Sequence, residues 1–520
     1  MHRPPGRTPV AKRTAAASLA LAATLGLALG GCSPDAPPTA PAPGLDLAAA
    51  APAGPRSYIL VAHDDGALPP GLEDDLRALG ATLVSTIPQI GLAVAESDRE
   101  DFRVAAASAI AGVDAVLPDL EMHGVEPAGA GTASEPDVAP FAGADALAAA
   151  AAAAAPPMPP GGDPRSPLQW ALSAIHAPEA WALGYKGRGV RVAVLDAGIQ
   201  STHPDLAPNL NRALSTSFVP GESYDGPPGP HGTQVAGIIA AAQNGIGVVG
   251  VAPEAEIVAV KMLNVRPGPQ PSSRAIQALI YAADIGADVA NMSFGTNLPR
   301  RTEIVVDTRG TEDPSDDVRV RVSNADVIAY LRAFSRATNY AHHKGVTLIA
   351  AAGNLAKNFD EAQDDIGIPQ ELPHVITVGP TAPEGWALDP STDLDRHPTY
   401  ANIGSSYLAL SAPGGGFDVV RRPGLPPSCT VLGFTNPCQV FDLVYTTNVG
   451  SAYFWNFGGS FAAPHATGVA ALIIGKHGGS MDPDQVEAIL RNTSDDLGKP
   501  GIDDFYGHGR VNALRAVEHR

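Results

Sequence analysis

Three short segments carry an acid, an imidazole and a hydroxyl, and they follow one another in the order Asp, His, Ser. Val192-Ala193-Val194-Leu195 is an apolar run that ends on Asp196 and turns at Ala197-Gly198. Sites in open α/β sheets gather at the carboxyl ends of strands, although a strand-terminal Asp alone more often caps a turn. His231 opens the Gly-rich apolar stretch Gly232-Thr233-Gln234-Val235-Ala236-Gly237-Ile238-Ile239, where on its own it reads as a helix-capping residue. Ser460 follows Gly458-Gly459 and begins a helical stretch that continues through Gly468-Val469-Ala470-Ala471-Leu472. Glycine ahead of it permits close backbone approach. A helix N-terminus offers free N–H groups and a partial positive charge, which suit a developing oxyanion. Taken alone, Ser460 is more often an N-cap. Together the three residue types are the parts of nucleophilic acyl transfer.

In that chain order the segments resemble the signatures of the subtilisin family, and the resemblance covers nearly everything after Pro167. Gln169-Trp170, Ala177-Pro178, Gly187-Arg188-Gly189-Val190 and Phe505-Tyr506-Gly507-His508-Gly509-Arg510-Val511-Asn512 extend it. The resemblance implies a serine endopeptidase in which Ser460 attacks the carbonyl, His231 shuttles the proton and Asp196 orients the imidazole. Ala350-Ala351-Ala352-Gly353-Asn354 is similar to the family's oxyanion segment, so the Asn354 amide and the Ser460 N–H are the expected donors. Asn291-Met292-Ser293-Phe294-Gly295 is similar to the segment to which a peptide adds as a strand. Ser293, Phe294, Gly295, Ala352, Gly353 and Gly367 are thus the expected substrate contacts. With no acid at the matching pocket floor, large apolar or aromatic residues are expected before the scissile bond.

No cofactor is required for this chemistry. The resemblance implies a structural Ca²⁺ held by Asp205, Asn244 and the carbonyls of Ile246 and Val248; a glutamine that the family supplies from near its mature N-terminus has no clear counterpart. Ile368-Pro369 falls where the family has a cis peptide. Four neighbours of the site depart from the family pattern: Ala197 for Ser or Thr, Gln234 for His, Gly459 for Thr and Phe461 for Met. They motivate a competing reading, a catalytically silent subtilase fold acting as a binding lipoprotein. The retained Asp196, His231, Ser460 and Asn354 weigh against it. An α/β-hydrolase esterase is excluded by chain order, since that fold runs Ser, Asp, His.

The elements that must position these residues are legible as patterns. From about Pro167 onward, short apolar strands (190–195, 257–261, 289–292, 346–351, 375–378) alternate with helical stretches. The fold class expected is α/β, a three-layer parallel sheet flanked by helices. Ahead of it, residues 56–123 read β-α-β-β-α-β, a small α+β ferredoxin-like domain that resembles the family's propeptide and would act as intramolecular inhibitor. Residues 299–326 read as a polar insertion. Residues 124–166 include Ala148 to Ala155 and the run Pro156-Pro157-Met158-Pro159-Pro160, a linker expected to contain the maturation site. Residues 33–55 read as a tether and 167–520 as the peptidase domain.

The N-terminus carries Arg3, Arg7, Lys12 and Arg13 before an Ala/Leu-rich run, the form of an export signal. It ends Leu29-Gly30-Gly31-Cys32, which resembles a bacterial lipoprotein signal, so Cys32 is the expected lipidation site and the only membrane attachment. In an exported protein Cys429 and Cys438, nine apart, are expected to form a disulfide. A net charge of −20 argues against nucleic acid as partner, because phosphate binding needs Lys and Arg. The expected partners are protein or peptide substrates, and the expected state is a monomer outside the cytoplasm.

Overall fold

Runs of branched apolar residues bounded by turns become the strands of a central sheet. The computed structural model describes residues 55–124, 163–226, 229–265, 270–299, 303–307, 318–321, 323–361, 365–417 and 428–520. The export signal, Cys32, the tether up to residue 54 and residues 125–162 of the Ala/Pro linker lie outside these residues. Among the described residues no helix is long and apolar enough to cross a membrane.

The N-terminal domain contains β1 (Arg56–Ala62), α1 (Leu72–Ala78), β2 (Thr82–Ile87), β3 (Leu92–Ser97), α2 (Phe102–Ala109) and β4 (Val113–Pro118). Its four-stranded antiparallel sheet has the order β2-β3-β1-β4. That order follows from two β-α-β halves folded on each other. One face is closed by α1 and α2 over Tyr58, Leu60, Ala93 and Val116. The other face carries Ile59, Val61, Leu92 and Leu117, which join the core of the larger domain. A two-residue strand, β5 (His123–Gly124), follows.

The larger domain begins with α3 (Trp170–Ala174) and α4 (Ala177–Ala182), then β6 (Arg191–Asp196), β7 (Thr216–Ser217), α5 (Pro230–Ala240), β8 (Glu256–Lys261) and α6 (Ser273–Asp284). Next come β9 (Val289–Met292), β10 (Phe294–Pro299), β11 (Glu303–Asp307), β12 (Val318–Arg321), α7 (Asn324–His343), β13 (Thr347–Ala351), β14 (Asp365–Ile368) and β15 (Val375–Thr381). The chain closes with β16 (Leu410–Pro413), two hairpins β17 (Cys429–Val431)–β18 (Phe434–Asn436) and β19 (Val444–Asn448)–β20 (Ala452–Asn456), and helices α8 (Gly459–Lys476), α9 (Pro483–Thr493) and α10 (Ala513–Glu518). Seven strands form the main sheet in the order β16-β15-β13-β9-β6-β8-β7, parallel at every pairing. Parallel strands need crossover helices, so the sheet is buried on both faces. On one side α5 and α8 pack against Val192, Val194 and Ile349. On the other α6 and α7 pack against Ala193, Leu195 and Leu348.

The expected three-layer fold is therefore present, with β16 and β7 added at its edges. The stretch read as a polar insertion contains the antiparallel pair β11–β12. The larger domain's described chain begins four residues earlier than its expected start at Pro167, since Asp163 and Ser166 are already buried.

Candidate active site

Strand β6 delivers Asp196 at its carboxyl end, 1% exposed, beside the start of α5. Pro230 suits the first turn of α5, where its missing N–H costs nothing, and His231 follows it. Gly232 is required by proximity: a Cβ there would lie 2.3 Å from the Gly198 carbonyl oxygen and 3.0 Å from Asp196 Oδ1. The helix can thus approach β6 closely enough for His231 Nδ1 to sit 2.9 Å from Asp196 Oδ2 and 3.0 Å from Oδ1. The Ala197 backbone N–H also donates to Asp196 Oδ1 at 2.7 Å. A carboxylate fixed this way selects the tautomer with the proton on Nδ1 and leaves Nε2 basic.

Ser460 sits in the first turn of α8, where backbone N–H groups lack intrahelical acceptors. Gly458 enters that helix at φ 134°, a conformation that L side chains rarely adopt. Ser460 Oγ donates to the Ser293 carbonyl at 3.4 Å, and Ser293 Oγ donates back to the Ser460 carbonyl at 2.9 Å. Behind them Asn291 Nδ2 donates to Ser293 Oγ at 3.0 Å, and Thr467 Oγ1 donates to Asn291 Oδ1 at 2.9 Å. Asn291 and Thr467, both fully buried, have no assigned role in the sequence reading, because only tertiary contact unites them. The Gly459 N–H donates to Asn354 Oδ1 at 2.8 Å, which fixes which end of the amide is the oxygen and which the NH₂ donor.

Residues 119–124 run as an extended segment between β10 and residues 270–272, paired on both sides. Antiparallel to β10, His123 faces Gly295 and Gly124 faces Phe294. On the far side the Met122 N–H donates to the Gln270 carbonyl at 2.8 Å, and the Ser272 N–H to the Leu120 carbonyl at 2.7 Å. Of the expected pocket glycines, Gly295 and Gly367 border side chains that the sequence reading did not assign. A Cβ on Gly295 would lie 2.7 Å from Gln370 Nε2, and one on Gly367 would lie 3.2 Å from the Tyr407 ring. Gln370 Nε2 donates to the carbonyls of Ala351 and Phe294, and the Tyr407 hydroxyl to that of Ala352. Gln370 follows the peptide Ile368-Pro369, which is cis.

Residues 187–509 match the model of the Subtilase family, peptidase S8. M-protease of Shouchella clausii is 35% identical over 350 residues, 67% of this chain and 70% of that protein. Subtilisin Savinase of Lederbergia lenta is 34% identical over 350 residues, 67% of this chain and 98% of that protein.

The chain belongs to the subtilase family.

Among solved structures, the epidermin leader peptide processing serine protease from Staphylococcus aureus superposes with a TM-score of 0.65 over 90% of this chain and 99% of that one. At 20% identity that likeness speaks for the fold. As a subtilisin-like serine peptidase, the chain is an enzyme that hydrolyses peptide bonds.

Two of this subtilase's departures from the family pattern share a cause. Gln234 Nε2 donates to Asn448 Oδ1 at 3.2 Å, and its Oε1 accepts from Asn456 Nδ2 at 3.0 Å. Phe461 is buried with Phe441, Tyr445 and Trp455 and meets the His231 ring edge-on at 5.8 Å. Both side chains therefore serve the β19–β20 hairpin, whose neighbour β17–β18 is tied by a disulfide between Cys429 and Cys438. A hairpin packed on α5 needs an apolar plug and an amide there.

The expected calcium ligands of this subtilase converge only in part. Asp205 is buried and its Oδ2 accepts the Val248 N–H at 2.9 Å, while Oδ1 has no hydrogen-bond partner. Burial, aided by the nearby charge of Asp163, pushes its carboxyl up to about 6. Asp163 accepts from the Gly245 N–H and also keeps a buried oxygen without a partner. Asn244 turns its Oδ1 to the Ile246 N–H at 3.2 Å. Two buried carboxylates with open oxygens suit a hard divalent cation, so the donor set fits Ca²⁺. Asp163 was not among the expected ligands and lies ahead of the expected domain start at Pro167.

Proposed function

We propose that this subtilase is an autoprocessed endopeptidase in which Ser460 is the nucleophile, His231 the general base and acid, and Asp196 the orienting carboxylate. The observation that carries this is the Asp196–His231 pair at 2.9 Å, set beside Ser460 in the first turn of α8. The peptide adds as a strand between residues 270–272 and β10. Ser460 Oγ gives its proton to His231 Nε2 and bonds to the carbonyl carbon. The oxyanion receives hydrogen bonds from Asn354 Nδ2 and the Ser460 N–H. His231 then protonates the leaving amine, and water reverses the sequence on the acyl-enzyme. Calcium, held by Asp163, Asp205 and the 244–248 loop, would brace the loop without entering the reaction.

The N-terminal domain serves as intramolecular inhibitor, and its tail gives the register of cleavage. In the register that sets His123 opposite Gly295 and Gly124 opposite Phe294, the next position of a bound strand falls at Ser293, whose carbonyl accepts from Ser460 Oγ; the next residue in sequence is Val125. The maturation cut is therefore assigned to Val125–Glu126, an apolar residue before the bond as a pocket floor without an acid requires. Large apolar residues at that position are the preferred substrates; faster turnover after Arg or Lys in a peptide library would reject this. A lipid on Cys32 would hold the precursor outside the cytoplasm; the cut separates residues 126–520 from that anchor, so the mature enzyme acts as a monomer at the cell envelope or in the extracellular space.

The deciding test is labelling by a fluorophosphonate probe after removal of the N-terminal domain. Labelling of the native chain and none of Ser460→Ala is expected. A folded, processed chain that does not label would replace the enzyme assignment of Ser460 with the binding-scaffold reading.

A further inference from the structure

Far along the chain from the reacting groups, three elements bring two imidazoles and a carboxylate together. His342 lies in the last turn of α7, His374 in the loop that enters β15, and Asp484 in the first turn of α9. The His342 and His374 rings stack with centroids 3.7 Å apart and an interplanar angle of 16°. His342 Nε2 is 2.9 Å from Asp484 Oδ1. The His342 side chain is 13% exposed, and its Nδ1 is buried with no hydrogen-bond partner. One donor atom from each of the three residues lies within 4.8 Å of the other two.

We propose that His342, His374 and Asp484 form a binding site for a transition-metal dication, Zn²⁺ by preference, that clips α9 to α7 and to the entry of β15. Zinc takes imidazole nitrogen and carboxylate oxygen at about 2.0–2.2 Å, which in a tetrahedron puts donors about 3.4 Å apart. Reaching that spacing requires the two stacked rings to tilt out of parallel, because each imidazole nitrogen binds a metal in the plane of its ring. Imidazole donors select zinc, nickel or copper over calcium and magnesium, so this site differs in kind from the all-oxygen pair Asp163 and Asp205. Asp484 is 70% exposed, which leaves water to complete the coordination.

Two further features point to a ligand. His374 is held at φ 65°, a left-handed conformation that few non-glycine residues adopt, and strain of this kind gathers at binding sites. Burial and the neighbouring His342 hold the His374 imidazole below its ordinary range. His343 and Glu487 also bear on His374, the first opposing its protonation and the second favouring it. Two imidazoles beside a carboxylate gain a shared partner when a dication enters. The clip would join helices from opposite faces of the central sheet.

The test uses the full chain carrying Ser460→Ala to prevent self-digestion, made without a polyhistidine tag and stripped by chelator. Zn²⁺ is titrated calorimetrically in excess Ca²⁺, which fills the oxygen site. One equivalent binding at micromolar concentration or tighter is expected, together with a rise in Tm that chelator reverses. His374→Asn, which tolerates a left-handed backbone, and Asp484→Asn at the surface should each weaken that equivalent by at least about tenfold. Absence of the equivalent in the parent chain would overturn the proposal. So would unchanged Zn²⁺ affinity in both folded variants.

Discussion

A hydrogen bond from the Gly459 N–H to Oδ1 at 2.8 Å helps aim the Asn354 amide, and this has a kinetic consequence. If Nδ2 serves the oxyanion only in the transition state, Asn354→Leu should lower kcat by about 10²–10³, or about 2.7–4 kcal/mol, and leave KM nearly unchanged. Steady-state kinetics on one peptide separates this from a binding role, which would move KM instead. His465 is a second residue-scale case. It is fully buried in α8, its Nδ1 faces the Phe461 carbonyl at 2.7 Å, and burial lowers its pKa to about 4. Above pH ~6.5 folded and unfolded chains both hold it neutral. Between that pH and about 4 the unfolded chain gains a proton that the folded one refuses, so stability falls by about 3 kcal/mol as pH falls. His465→Asn, which keeps a donor near Nδ1, should flatten the dependence of urea midpoints on pH across that window. The sequence showed Asp196, His231, Ser460 and Asn354 because each sits in a local motif. Gln370 and Tyr407 reach the site from segments that carry no motif of their own, and the part that Asn291 and Thr467 play shows only in their contacts with Ser293 and with each other.

At the scale of elements, the N-terminal domain is fastened by its tail as much as by its sheet. Asp119 is buried and accepts from Ser272 Oγ at 2.8 Å, the Ser273 N–H at 2.9 Å and Ser57 Oγ at 3.0 Å. It thereby caps α6, a helix of the other domain, at the end where a carboxylate is favoured. Asp119→Ala removes an acceptor shared by both domains. At about 1.5–3 kcal/mol for a hydrogen bond to a charged group, the domain should bind at least about tenfold more weakly. Gel filtration of the Ser460→Ala chain after an added protease cuts its linker would show this as release of the domain. Co-elution with the same affinity as the parent would refute the role. The six elements of this domain were legible because each has its own hydrophobic period: alternation or a continuous run in the strands, helical spacing at Leu72, Leu76 and Leu79. The β19–β20 hairpin was not, and with it the reason for Gln234 and Phe461. Its Thr and aromatic residues matter through contact with α5 and α8, which no local period reports.

Across the whole molecule, the maturation register and the carboxylate pair constrain each other. The proposed cut after Val125 would leave residues 126–162 as an N-terminal extension of the mature chain, and its Ala, Pro and Gly content would offer trimming proteases easy substrate. Trimming should stop before Asp163. From there the backbone is engaged: Arg165 N–H donates to the Gly247 carbonyl, and Asp163, Ser166, Pro167 and Leu168 are buried. Mass spectrometry of the active enzyme should therefore find Glu126 as the first new terminus and ragged ends up to, but not past, Asp163. The same geometry makes chelator sensitivity depend on both ends of the domain. Removing Ca²⁺ should lower Tm in the parent enzyme, because Asp163 and Asp205 then face each other across the 244–248 loop without a counter-charge. In Asp163→Asn the chelator should cost much less, since one of the two facing charges is gone. A mature terminus beyond Asp163 in an enzyme that still loses Tm to chelator would place the cation elsewhere.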